Sequence, residues 1–327
     1  MKEIIITSNE AEQRIDRFLR KYLGKSTLSF IYKQIRKKNI VVNDNKVDEK
    51  YILKLGDKVK LYFSDETIEN LKSDPRKIQS NRKMNIIYED DNIILINKPA
   101  GILSHSAKGN YKEDNIVDAM LNYLIEKGDF IPRLSKTFTP SIANRLDRNT
   151  SGILIGAKNY ETIQELNKAQ RSSSIKKYYY TLVFGKIEGS STEYASIKKV
   201  GDHENLVKVS KNENSDVKNI VTAYKSVIAG EKYSLLEIDL ITGRTHQIRA
   251  HLNFLQMPVI GDRKYGLKKA NDYFKKKYGL NNQLLHCYKI VFNGLEGHLD
   301  YLNEKVFIAN NPAILDKIIG GEFNGKN

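Results

Sequence analysis

Residues 144–159 read NRLDRNTSGILIGAKN. The change from charged to apolar residues within this stretch predicts an extended segment, a turn and then a buried strand. In an extended segment side chains alternate, so Arg145 and Asp147 point to one face and their neighbours point to the other. The TSG sequence at 150–152 favours a turn, and ILIGAK at 153–158 is typical of a buried strand. We therefore expect Asp147 at a strand end beside a turn, held rigidly but facing a cleft.

Asp147 allows two interpretations. A cation within about 4 to 6 Å would keep its carboxylate ionised and ready for chemistry. Alternatively, the carboxylate accepts hydrogen bonds from the amides of the turn and has only a structural role. This stretch leaves both open.

A second cluster, LITGRTHQIRAHL at 240–252, places polar residues where a strand gives way to a helix. We expect Thr245 to cap this helix, with its apolar residues facing the core. Arg249 and His246 then share another face. Because polar groups at a helix start suit phosphate contact, Arg244 and His246 are predicted to bind RNA if RNA is the partner.

Several common chemistries lack their signatures. His246 and His251 are five residues apart, which does not fit a helical metal pair, so we expect no metal site. The sequence contains neither GxGxxG before a helix, nor GxxxxGK[ST], nor GxSxG. Cys287 is the only cysteine, which excludes an internal disulfide and favours a reducing compartment. We expect no cofactor and a cytoplasmic protein without a signal peptide or membrane span.

The charge favours a polyanionic partner. Lys and Arg number 54 against 39 acidic residues, a net charge of +15. Nucleic acid, an anionic membrane surface or simply a Lys-rich surface would each account for this. A membrane-surface protein needs a basic helix with a bulky apolar face, whereas the short helix predicted at 26–39 needs its apolar face for its own module. Nucleic acid is the preferred partner and no membrane contact is expected.

Residues 12–63 form a small unit by pattern, with two short amphipathic helices followed by the strands IVVND and KVKLYF. Residues 25–43 contain no acidic residue, which creates either a phosphate-binding surface or a solvated helix face. The candidate RNA-binding residues here are Lys25, Lys33, Arg36, Lys37 and Lys38. Residues 64–83 are predicted to be a linker, and 84–319 a larger domain of strands and helices in a mixed, largely antiparallel sheet, giving an α+β fold.

At this point a resemblance becomes specific. RLDRNTSG, GRTHQIRAHL, NKPAG at 97–101, GDRKYG at 261–266 and LH at 285–286 occur in the order seen in RluA-type pseudouridine synthases. Residues 12–63 resemble the small RNA-binding module first known from a small-subunit ribosomal protein. The resemblance implies a cofactor-free isomerase that converts uridine to pseudouridine in RNA. The layout is most similar to members that act on large-subunit ribosomal RNA, and such an enzyme can be a monomer.

The resemblance also implies roles for single residues. Asp147 matches the catalytic aspartate, Arg249 the basic residue that pairs with it, and Arg145 the arginine that enters the RNA stack when the target uridine leaves. Tyr179 matches the active-site tyrosine when counted back from Gly185. A shift of one residue would select Tyr178 or Tyr180 instead.

Two positions depart from the family pattern. Asn144 stands where His or Ser is common, and Cys287 where Ala is usual. We expect neither to touch a proposed catalytic group. The alternative function is a non-catalytic RNA-binding or assembly protein, against which the intact Asp147, Tyr179 and Arg249 argue.

Overall fold

We describe the fold from a computed structural model, which covers residues 1–72, 80, 82–106, 113–132, 137–200, 206–211 and 217–323. The N-terminal unit consists of β1 (Lys2–Ile5), α1 (Ile15–Tyr22), α2 (Leu28–Arg36), β2 (Ile40–Val42), β3 (Lys58–Leu61) and α3 (Asp65–Leu71). Its antiparallel strands lie in the order β1-β3-β2. The apolar side chains of α1 and α2 recur at helical spacing and fill the core of this unit, as predicted.

Two elements extend this unit beyond residues 12–63. β1 pairs with β3, and α3 lies inside the segment that we predicted to be a linker. That prediction is wrong for residues 65–71, because Ser64 caps the helix and Ile68 packs into the N-terminal core. A single buried apolar residue leaves no helical periodicity to detect. Residues 73–79 and 81 of the predicted linker lie outside the described residues.

The larger domain is built on one long sheet. Its elements are β4 (Ile86–Glu89), β5 (Ile93–Lys98), α4 (Ile116–Lys127), β6 (Ser141–Ile142), β7 (Ser151–Ala157), α5 (Tyr160–Arg171), β8 (Ile175–Phe184), β9 (Ser190–Val200), β10 (Leu206–Ser210), β11 (Lys218–Ala229), β12 (Tyr233–Leu240), α6 (Gln247–Phe254), α7 (Lys268–Tyr278), β13 (Leu285–Phe292), a 3-10 helix (Gly297–Leu302), β14 (Val306–Ile308) and α8 (Ala313–Glu322). The strand order is β10-β9-β11-β12-β8-β13-β7-β5-β4, with β14 on β13 and β6 on β7. Of these described pairings only β7 with β13 is parallel, which confirms the predicted mixed, largely antiparallel sheet.

The parallel contact between β7 and β13 depends on Gly152. Its φ is +114°, and a Cβ at this position would lie 2.5 Å from the backbone nitrogen of Cys287. Only glycine permits such an approach. The loop that carries Asp147 therefore ends directly beside β13 and close to β8.

The start of α6 differs from the prediction that Thr245 caps it. The residue before the helix is His246, with a left-handed φ of +53° and no side-chain capping bond. The Gln247 side chain stabilises the turn before the helix instead. Its Oε1 accepts hydrogen bonds from the Arg244 amide at 3.0 Å and from the Thr242 hydroxyl at 2.9 Å. His246 is thereby turned inward. Among the described helices none is long and apolar enough to cross a membrane.

Candidate active site

Asp147 lies on the loop between β6 and β7, with its side chain 30% exposed. The predicted alternation holds from Arg145 to Asp147, since Leu146 is buried in the core and Arg145 is exposed. Arg148 begins the turn and is exposed, so it does not share the buried face of Leu146. Asn144 fixes the loop to β7, because its Oδ1 accepts from the Ile155 amide at 2.8 Å. Asn144 thus anchors the loop on the N-terminal side of the carboxylate that it presents.

Lys98 holds the same loop through a hydrogen bond to the backbone after Asp147. Its buried Nζ donates to the carbonyl oxygens of Pro99 at 3.0 Å, Ile102 at 2.8 Å and Arg148 at 2.8 Å. These bonds use all three donors of an ammonium group. Burial lowers the pKa of Lys98 to about 7, although the charge of Asp147 opposes this shift. The NKPAG motif therefore ties the Asp147 loop to the end of β5.

Arg249 joins Asp147 to a second carboxylate. Its Nη1 donates to Asp147 at 2.7 Å, while Nε and Nη2 donate to Asp262 at 2.6 and 2.9 Å. Burial alone would lower the pKa of Arg249, but the Asp262 and Asp147 carboxylates outweigh it and raise that pKa. The predicted Asp147 to Arg249 pair is present, and its catalytic role stays a prediction.

Asp262 is the residue of this cluster that the sequence did not lead us to expect. It is fully buried and also accepts from the Lys264 and Tyr265 amides at 2.8 and 3.1 Å. The Asp262 carboxylate therefore stabilises the turn at 262–265 and at the same time fixes the position of Arg249. The GDRKYG motif was the signal that could have pointed to it.

His246 lies beside Asp147, although the sequence suggested an RNA contact for it. Its Nε2 is 3.8 Å from Asp147 Oδ2, and its Nδ1 is 3.1 Å from the Tyr265 hydroxyl. That hydroxyl accepts from the Val207 amide at 3.0 Å, which leaves its own proton for Nδ1. We therefore assign the hydrogen of the neutral ring to Nε2, facing Asp147. Burial lowers the pKa of His246, which favours this neutral form.

Tyr179 is the buried member of the tyrosine run on β8. Burial, contact with the Cys287 thiol and the charge of Asp147 together raise its pKa well above the ordinary value. Tyr180 instead stacks on Tyr288 with ring centroids 3.8 Å apart, and Lys289 lies 4.0 Å from the ring of Tyr178. The geometry thus favours Tyr179 as the active-site tyrosine.

The expectation that Cys287 touches no proposed catalytic group is wrong. Cys287 stands directly opposite Tyr179 in the β8 to β13 pair, close enough for each side chain to shift the pKa of the other. Local sequence does not determine the register between these strands, so the contact could not be predicted.

The remaining candidates are exposed. Arg244 lies before α6, and the basic residues of the N-terminal unit lie before, on and after α2; they are Lys25, Lys33, Arg36, Lys37 and Lys38. The two units meet where Asn9 Oδ1 accepts from the Tyr160 amide at 3.0 Å. In the described ranges no three His, Cys, Asp or Glu side chains gather in a way that could hold a metal.

Comparisons with known proteins agree with this geometry. Residues 92–254 match the RNA pseudouridylate synthase family model, and residues 13–59 match the S4 domain model. An uncharacterized RNA pseudouridine synthase of Mycoplasma capricolum subsp. capricolum is 34% identical, over 95% of this chain and 98% of that protein. Ribosomal large subunit pseudouridine synthase C of Buchnera aphidicola subsp. Baizongia pistaciae is also 34% identical, over 88% of each. The solved structure of human RNA pseudouridylate synthase domain containing 4 shares the fold, with a TM-score of 0.56 and 21% identity, over 72% of this chain and 91% of that one.

Proposed function

Because this chain belongs to the RNA pseudouridylate synthase family, as its motifs predicted, we propose that it modifies uridines of large-subunit ribosomal RNA through Asp147. The chain is an RNA pseudouridine synthase, an isomerase with an S4 domain. The name of the Buchnera relative supports large-subunit RNA as the substrate. A cytoplasmic location follows from that substrate.

The reaction breaks the bond between ribose C1′ and uracil N1 and joins the same C1′ to C5. The proton at C5 leaves, and N1 gains one, so no atom is gained or lost overall. The step therefore needs a group that acts at C1′, a path for one proton, and a pocket that retains the detached ring.

The observation that carries the proposal is the Asp147 to Arg249 ion pair, with Arg249 fixed in turn by buried Asp262. The carboxylate that this pair holds can attack C1′ or stabilise positive charge on the ribose. Asp262 accepts hydrogen bonds from two nitrogens of the guanidinium. Arg249 would therefore have to break these bonds in order to move away from Asp147. The partly exposed carboxylate of Asp147 is then held in a fixed orientation, facing the substrate.

The raised pKa of Tyr179 restricts the roles that this side chain can have in the reaction. A phenol that stays protonated at neutral pH can donate a hydrogen bond or pack against the uracil ring, but it does not serve as a base. The C5 proton needs another acceptor. In our proposal the Asp147 carboxylate, released once the new bond has formed, takes it.

Arg145 is the candidate for base flipping. The target nucleotide must leave the RNA stack, at a cost of a few kcal/mol, before it reaches Asp147. Arg145 is exposed and only two residues away on the same loop. Its guanidinium can stack in the gap and offset part of that cost.

Mapping of pseudouridines tests the proposal. Unmodified large-subunit RNA is incubated with the native protein or with Asp147→Ala, and new pseudouridines are located by carbodiimide labelling and primer extension. We expect new stops with the native protein alone. Binding without stops, in naked RNA and in assembling particles alike, would instead support the non-catalytic RNA-binding protein.

A further inference from the structure

A pocket of about 420 Å³ lies between the turn at 261–266 and α7, outside the catalytic cluster. Its wall carries three cationic side chains, from Arg263, Lys268 and Lys275, together with the single acidic residue Asp272. We propose that this pocket binds a backbone phosphate of the RNA strand whose uridine is modified. The inference rests on the proposed function and names a binding site for its substrate.

Three cations against the carboxylate of Asp272 leave the pocket wall with a net positive charge. In the part of the chain that the structure describes, no carboxylate forms an ion pair with Arg263, Lys268 or Lys275. Lys277 of the same helix, in contrast, pairs with Glu322 at 2.8 Å. Lys268 and Lys275 are seven residues apart, so both project from one face of α7 toward the pocket. Such a concave cluster of positive charge attracts anions.

The first turn of α7 points to the same ligand. Lys268 and Lys269 stand there without an acidic residue, although cations are unfavourable at the positive end of a helix dipole. The preceding residue, Leu267, offers no side-chain cap to the first amides. A phosphate at this end would bond those amides and complement both lysines. The lysines of the last turn, by contrast, suit the dipole without a ligand.

The pocket is joined to the catalytic pair by one turn. On the inner side, the Asp262 carboxylate holds Arg249, which reaches Asp147 at 2.7 Å. On the outer side, Asn271 of α7 accepts from the Gly261 amide at 2.7 Å and donates to the Asp262 carbonyl at 2.8 Å. A phosphate bound here would therefore lie on the outer side of the turn whose inner side holds Arg249.

Two double variants of α7 test the proposal. Lys268→Gln with Lys275→Gln removes the charges of the pocket, and Lys269→Gln with Lys276→Gln removes the same charge, at the same spacing, outside it. Binding of unmodified large-subunit RNA is measured between about 50 and 200 mM salt. We expect the pocket variant to lower the slope of log Kd against log salt by about 0.7 for each lost contact to a single strand, and the control to lower it less.

Equal slopes for the two double variants would overturn the proposal, because the effect would then come from the net charge of α7. A second arm adds inorganic phosphate to the native protein. If phosphate shifts the NMR signals of Asn271 while the pocket variant binds RNA like the native protein, the pocket is a free-anion site and the proposal is also wrong. Failure of the proposed function is distinguishable, since the native protein would then form no pseudouridine whatever the salt slopes are.

Discussion

Arg249 donates to Asp147 at 2.7 Å across 102 positions of sequence. The rest of its guanidinium is bound to Asp262, which is fully buried. An arginine whose planar fork is fixed on one carboxylate presents its remaining donor in a set direction. Asp147 therefore has a preorganised partner before RNA arrives.

Asp262→Asn tests this arrangement. An amide cannot accept both guanidinium bonds, so Arg249 loses its fixed position, and breaking a buried pair costs about 3 to 5 kcal/mol of stability. We expect a lower melting temperature and a single-turnover rate reduced about 100-fold, as for a misplacement of about 1 Å. RNA affinity should change little. Asp91→Asn, at an exposed position between β4 and β5, is the control, and native activity in Asp262→Asn would contradict the prediction.

The tautomer of His246 gives a second prediction. Nitrogen-15 NMR of the native protein should show the hydrogen on Nε2, because the Tyr265 hydroxyl donates to Nδ1. Tyr265→Phe removes that donor, so a mixture of tautomers and a lower single-turnover rate are expected, with Kd for RNA nearly constant. His246→Gln, which keeps an N–H donor, should retain more activity than His246→Ala. A hydrogen found on Nδ1 in the native protein would refute the assignment.

Whether the sequence predicts a feature of this site depends on how far apart in the chain the interacting residues lie. The strand at 151–157 and the helix at 160–171 follow from local patterns, and the family motifs place Arg249 against Asp147. Asp262 was missed because its partner lies on another element, and a single aspartate in a turn carries no periodic signal. The Cys287 contact with Tyr179 depends on the register of two strands, which local sequence does not determine.

Gly152→Ala should be among the most damaging substitutions in the chain. The added Cβ would overlap backbone atoms of Cys287 at a φ of +114°, and we expect a loss of more than about 4 kcal/mol in the free energy of unfolding. Gly189→Ala is the matched control, since Gly189 has a φ of +73° but open space around it. Backbone strain alone should cost about 1 to 2 kcal/mol there. Denaturant unfolding that gives equal losses would disprove the role of close approach.

The Cys287 thiol is expected to be unreactive in the folded protein. Burial raises its pKa to about 12, although nearby Lys177 and the Tyr179 hydroxyl oppose the shift. Because the thiolate is the reactive form, a disulfide reagent at neutral to mildly alkaline pH should modify no thiol until guanidinium is added, and one thiol per chain afterwards. Rapid modification of the native protein would show that β13 is accessible in solution.

The most direct test of the central claim compares the native protein with Asp147→Asn on RNA labelled with tritium at uridine C5. Formation of the new bond at C5 releases that tritium, so its release measures the chemistry itself. The account predicts that the native protein releases tritium while Asp147→Asn, which keeps the size but not the charge, releases none and still binds RNA with native Kd. Release by Asp147→Asn at a rate within about tenfold of native, a barrier change below about 1.4 kcal/mol, would contradict it.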